Sequence, residues 1–125
     1  MQIAEWFRVE KLNDVEIDEI GNVFGCWKGN GTAAPIIVSA HSDTVFPLST
    51  DLSIRRTADG ISGPGIGDNS LGVAGLFGLL WQLKENDFTP CGDLWFVANV
   101  CEEGLGDLKG MRNVVERFGS KPKAY

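Results

Sequence analysis

Three short stretches carry side chains able to do chemistry together. They are His41-Ser42-Asp43, Asp68 within Gly63-Pro64-Gly65-Ile66-Gly67-Asp68-Asn69-Ser70, and Glu102-Glu103 after Cys101. His41 and Asp43 are two residues apart, so in extended chain they project to the same side. A carboxylate placed there can accept the hydrogen bond of the second imidazole nitrogen, which sets the tautomer and orientation of a metal-bound histidine. Taken alone, a histidine after a strand is more often a hydrogen-bonded structural residue, and His41 is the chain's one histidine. The adjacent Glu102 and Glu103 repel each other and need compensation where partly buried. Alternation sends them in different directions, so one can bind a cation while the other contacts its bound water. Surface Glu-Glu pairs are common, but this pair directly follows the nearly continuous apolar run 94–100. Asp68 lies among three glycines at the start of an apolar segment. By itself that loop reads as a glycine-rich turn whose acidic residue favours a helix amino terminus, with Asn69 and Ser70 as capping residues.

Imidazole plus carboxylates suits zinc, cobalt or manganese better than calcium, which prefers all-oxygen cages. A bound divalent ion lowers the pKa of its water to about 7 and polarises a carbonyl. A free glutamate nearby accepts the water's proton and later delivers it to a leaving nitrogen. These are the parts needed for hydrolysis of an amide.

The elements around these residues put them at one edge. The run 35–40 is rich in β-branched residues, which fits a central strand covered on both faces, and it ends in His41. The run 94–100 is a second central strand, ending in Cys101-Glu102-Glu103-Gly104. Between them, 71–83 is apolar on most of its circumference and predicts a buried helix. Gly72, Gly75 and Gly78 form a stripe along it, each costing up to about 1 kcal/mol of helix propensity relative to Ala. That cost is expected where the backbone lies close against a sheet. Residues 1–11 suit a short amphipathic helix, and Val15, Ile17 and Ile20 mark a strand. Gly21-Asn22 supplies a turn into a second strand over 23–27, giving a hairpin. Residues 54–61 read as weaker strand and turn with a bend at Asp59-Gly60, and 106–118 as a further helix. Strand, helix, strand, helix indicates an α/β layer with parallel central strands, in which ligands bind beyond the carboxyl ends of the strands.

Composition narrows the partners. The chain has 125 residues, 43% of them hydrophobic, enough for one domain or a piece of a larger one. A net charge of −6 argues against nucleic acid, which needs a basic face. No apolar run reaches membrane-span length and the opening residues lack the pattern of a signal peptide, so the expectation is a cytoplasmic protein that does not engage membranes. Cys26, Cys91 and Cys101 contain no CxxC pair, so buried, reduced thiols are expected rather than a zinc knuckle or redox dithiol. Cys101 has no second histidine to activate it as a nucleophile.

At the three chemical segments the chain resembles the zinc-dependent amidohydrolase and exopeptidase family. That family includes glutamate carboxypeptidase, acetylornithine deacetylase, succinyl-diaminopimelate desuccinylase and tripeptide aminopeptidase. The matching stretches are Ala40-His41-Ser42-Asp43-Thr44-Val45-Phe46-Pro47, Gly63 through Gly72, and Cys101-Glu102-Glu103-Gly104, with Asp18-Glu19-Ile20-Gly21-Asn22-Val23 as the preceding hairpin. The resemblance implies a three-layer α/β sandwich with a mixed, largely parallel central sheet, part of a phosphorylase/hydrolase-like catalytic domain. It implies a two-metal zinc site, with cobalt or manganese as substitutes. His41 would bind one metal, Asp68 would bridge two and Glu103 would bind the second. Glu102 would be the general base and acid, Asp43 would orient His41, and the Asp68-Asn69 peptide would be cis. The implied substrate is a small peptide or an N-acyl amino acid, for an aminopeptidase, carboxypeptidase or deacetylase. A related aminopeptidase family shares the His-x-Asp, Asp-Asn and Glu-Glu signals, and the glycine-rich loop favours the first family.

Family members are longer, with a lid domain and two further ligands that have no counterpart here. Residues 1–125 are therefore expected to be an incomplete metallopeptidase catalytic domain, lacking the lid and the carboxy-terminal half and weakly active at most alone. The rival expectation is a non-catalytic truncated module that self-associates or binds a partner. Exposed strand edges and apolar surface would favour a homo-oligomer.

Overall fold

The computed structural model describes residues 2–125. In chain order the elements are α1 (Gln2–Val9), β1 (Asn13–Ile17), β2 (Val23–Trp27), β3 (Ile36–His41), β4 (Arg55–Arg56), β5 (Ile61–Ser62), α2 (Leu71–Glu85), β6 (Leu94–Asn99) and α3 (Lys109–Phe118). Met1, included in the helix expected over 1–11, lies outside the described residues.

Alternation along the strands sorts their side chains onto two faces. On one face Val23, Ala40, Phe96 and Ala98 pack with Ala4 and Phe7 of α1 and with Leu76, Phe77 and Leu80 of α2. On the other, Phe24, Ile37 and Val97 pack with Val114 and Phe118 of α3. Helices therefore cover both faces, giving the expected three layers. The strand order is β1-β2-β6-β3. β3 and β6 are parallel, in a register running from Ile36 opposite Leu94 to His41 opposite Asn99. The sheet is mixed, but its parallel pairing is confined to this pair rather than dominating the four strands. The reason is the hairpin: β2 turns back antiparallel to β1 and also pairs antiparallel with β6. The hairpin turn is built by Asp18, whose Oδ1 accepts the backbone N–H groups of Ile20, Gly21 and Asn22 at 3.0, 2.8 and 2.8 Å. Ile20 thus belongs to the turn and not to the strand. Gly21 takes φ +109°, a conformation L side chains resist. β4 and β5 form the small expected hairpin around Asp59-Gly60.

α2 departs from expectation. It turns in only one stripe, Leu76, Phe77 and Leu80, and leaves Leu71 68% and Trp81 51% exposed. The glycine stripe does not face the sheet. A Cβ on Gly75 or Gly78 would meet nothing within 4 Å, while one on Gly72 would meet the Asn69 side chain. The period explains this: positions 73, 76, 77 and 80 share the inward face, and a three-residue spacing from 72 drifts off it. α1 and α2 are joined at their solvent edge by Glu10, whose carboxylate accepts hydrogen bonds from Trp81 Nε1 at 2.8 Å and Lys84 Nζ at 2.6 Å. The last expected helix begins at Lys109 and not at 106, because Asp107 and Leu108 have positive φ.

Among the thiols, Cys26 is buried and pushed up to about 12, first by desolvation, so it stays protonated. Cys91 is exposed, contrary to the expectation of burial, because it lies in the turn that leads into β6. Among the described residues no helix is long and apolar enough to cross a membrane.

Candidate metal centre

The parallel pair ends at one edge, and the chemical residues begin where its ladder stops. Ser42 N–H still donates to the Asn99 carbonyl at 2.8 Å, and beyond it the two chains part. The His41 side chain is only 11% exposed. Its Nδ1 is 3.2 Å from the backbone carbonyl oxygen of Asp43, and its Nε2 is 2.9 Å from Asp68 Oδ1 and 3.8 Å from Glu102 Oε2. A carbonyl can only accept, so Nδ1 is the donor to it and Nε2 is the nitrogen turned toward the carboxylates.

Asp68 reaches His41 because Asn69 takes over the capping. Asn69 Oδ1 accepts the Gly72 N–H at 2.9 Å at the start of α2, and no side-chain cap comes from Ser70. The Asp68-Asn69 peptide is cis, as the resemblance implied. The loop is closed behind it by the Ser70 N–H on the Gly65 carbonyl at 2.9 Å. Asp68 therefore lies ahead of the helix rather than at its amino terminus.

Glu102 and Glu103 are aimed by a break in the strand at Cys101, where φ is +58°. Just before it, the Val100 N–H donates to Asn22 Oδ1 at 3.1 Å. Asn22 is fully buried, and its Nδ2 donates to the Gly110 carbonyl at 3.1 Å and to Asp18 Oδ2 at 2.8 Å. One hairpin residue thus ties the end of β6 to the start of α3. Gly110 makes room for this: a Cβ there would stand 1.9 Å from the Val100 carbonyl oxygen. In the sequence Asn22 is marked only as a turn residue. The signal available was its place four residues after Asp18, which marks an Asx-type turn but not its long-range partners.

One donor atom each from His41, Asp68 and Glu103 lies within 4.8 Å of the others. The three residues expected as ligands are thus brought together, and Glu102 stands beside them. The Glu103 carboxyl is held above the usual carboxylate range, first by desolvation, then by the charges of Asp68 and Glu102, with His41 opposing. Crowded carboxylates around an imidazole nitrogen are the donor set of a divalent cation with mixed nitrogen and oxygen ligands, so the residues fit such an ion. Asp43 is placed differently from expectation. Its carboxylate is 3.7 Å from Nδ1, beyond hydrogen-bond reach, and instead accepts the N–H of Glu102 at 3.2 Å and of Glu103 at 3.1 Å.

A mixed α/β domain with imidazole and carboxylates gathered at its parallel strand edge belongs to the class of α/β folds with a candidate ligand site beyond the carboxyl ends of the strands. Within that class the profile of Peptidase family M28 matches residues 22–124, and the chain belongs to that family. Among solved structures it is similar to a tripeptidase from Staphylococcus aureus subsp. aureus Mu50, at 25% identity and a TM-score of 0.71, covering 91% of this chain and 34% of that one. It shares its fold with aminopeptidase PepT from Bacillus cereus, at 21% identity and a TM-score of 0.78, covering 99% of this chain and 35% of that one. The chain thus spans about a third of the length of these two structures. No curated protein sequence matches it. The exopeptidase resemblance carried by the three motifs stands.

Proposed function

We propose that this chain carries part of a zinc-dependent centre that hydrolyses an amide bond in a small peptide or N-acyl amino acid. The observation that carries the reading is the meeting of His41, Asp68 and Glu103 donor atoms within 4.8 Å at the strand edge, with Glu102 alongside. His41, Asp68 and Glu103 would hold the metal, zinc by preference and cobalt or manganese in its place. The bound cation supplies Lewis acidity to the amide carbonyl and acidifies water. Glu102 takes the proton from the attacking water and passes it to the leaving nitrogen. Family M28 membership supports a peptide over an acyl amino acid. The site is completed in a longer chain, and residues 1–125 alone have little activity. Unpaired Cys26, Cys91 and Cys101 suit a reducing, cytoplasmic compartment.

Calorimetric titration of the 125-residue chain with zinc tests the centre. Binding that His41→Ala abolishes is the expected result, and no binding by the unaltered chain overturns it. A second reading, a self-associating module without catalysis, is favoured by one observation: Val9 on α1 and Leu71 and Trp81 on α2 leave large apolar side chains exposed. Under that reading zinc does not bind and the chain oligomerises.

A further inference from the structure

We propose that Asp43 is a positioning residue for the Glu102-Glu103 turn: its carboxylate takes the place of the strand ladder where β3 and β6 separate. The regular pairing ends at His41 opposite Asn99, and the last backbone bond between the two chains is the Ser42 N–H on the Asn99 carbonyl. The left-handed Cys101 then turns the chain away, and the Val100 N–H goes to Asn22. The next two donors, the N–H groups of Glu102 and Glu103, go one to each oxygen of Asp43, at 3.2 and 3.1 Å. Such bonds to an ionised carboxylate are stronger than those between neutral groups.

The imidazole has its own partner in the Asp43 backbone carbonyl, so the carboxylate is free for the turn. Two residues after His41, one side chain thereby fixes where both glutamates stand relative to that histidine. This rests on the metal-centre reading only for its consequence in zinc binding, because the two contacts are made by backbone N–H groups and not by the carboxylates of Glu102 and Glu103.

The test is residue-resolved amide hydrogen exchange on the full chain without metal, for Asp43→Ala, Asp43→Asn, His41→Ala and the double variant Asp43→Ala/His41→Ala, followed by zinc titration. In Asp43→Ala, exchange at Glu102 and Glu103 accelerates about tenfold while Phe96 and Val97 keep their protection. The same acceleration persists in the double variant. Asp43→Asn, which keeps one accepting oxygen, releases one of the two amides more than the other. Zinc affinity falls about tenfold in Asp43→Ala. Unchanged exchange at both amides overturns the proposal, as does acceleration that spreads through β6. Acceleration that disappears once His41 is removed also overturns it, because Asp43 would then act through the imidazole. The exchange readout needs no metal, so it judges Asp43 separately from the zinc centre.

Discussion

At the scale of single residues, the arrangement divides labour among four acidic groups around one imidazole. Asp68 and Glu103 are close enough to share a cation with His41, while Glu102 is 3.8 Å from Nε2 and 34% exposed, beside the cluster rather than within it. Glu103→Ala is therefore expected to remove calorimetrically detectable zinc binding, as His41→Ala does. Glu102→Gln should leave zinc affinity within a few-fold. In a longer, active chain the same change should lower kcat by about 10²- to 10⁴-fold, read in a steady-state assay on a small peptide, since under the proposed function Glu102 is the proton acceptor and not a ligand. A Glu102→Gln variant that loses zinc binding instead would exchange the roles of the two glutamates.

At the scale of elements, two long-range ties hold the pieces that carry the site. Asn22 satisfies the Val100 N–H and the Gly110 carbonyl in a fully buried position. Asn22→Ala strands both, and is expected to destabilise the chain by about 2 kcal/mol in urea unfolding. An effect within experimental error would mean that water replaces the side chain there. The second tie is Glu10, whose carboxyl lies below its ordinary value of 4.5, chiefly through the hydrogen bond from Lys84 and then that from Trp81. A carboxyl lowered in the folded state stabilises above its unfolded pKa, and that contribution is lost as pH falls through the folded value. Glu10→Gln should therefore cost up to about 1 kcal/mol at neutral pH and nothing once the medium is acid enough to protonate Glu10 in both states. Urea midpoints of the two proteins across pH measure this directly, and a gap that widens on acidification would reverse the sign.

At the scale of the whole molecule, α1 and α2 together leave Trp6, Val9, Leu71, Leu79 and Trp81 exposed. A groove of about 650 Å³ runs between those helices, lined by Ile3, Trp6, Val73, Phe77 and Trp81, with Ser42 next to His41 in the chain and Ser70 two residues after Asp68 also on its wall. Val9, which lines it, is 75% exposed, and Leu71 at the start of α2 is 68% exposed. Contiguous apolar surface of this kind favours association, against a net charge of −6 that opposes it. Sedimentation velocity should show oligomers that grow with concentration, and Val9→Lys with Leu71→Lys should return the chain to monomer. A monomer throughout the concentration series would remove the homo-oligomer from consideration.

Much of the site was legible in the amino-acid sequence because its logic is local. β-branched runs ending in His41 and in Cys101-Glu102-Glu103 identify strands and the edge at which they stop, and the order of elements makes those strands parallel neighbours. Asp68, in the glycine loop that opens the apolar helix between them, then falls at the same edge, although only the fold puts it ahead of the helix rather than at its amino terminus. The hairpin was legible from its Gly21-Asn22 turn for the same reason, since the hydrogen bonds that Asp18 makes there span at most four residues. What only the tertiary structure decided involves groups far apart in the chain. α2 is apolar nearly all round, so its composition could not say which stripe faces the sheet, and the glycines turned out to point away from it. Cys26 is buried because β2 lies inside the sheet between β1 and β6, and Cys91 is exposed because it sits in the turn ahead of β6. Asn22 finds Val100 across 78 positions, and Asp43 finds Glu102 across 59. Such pairings depend on which surfaces close against each other, and no periodicity in the chain encodes them. The residue types able to do the chemistry were written in the sequence, while the support that holds them in register was decided by the fold.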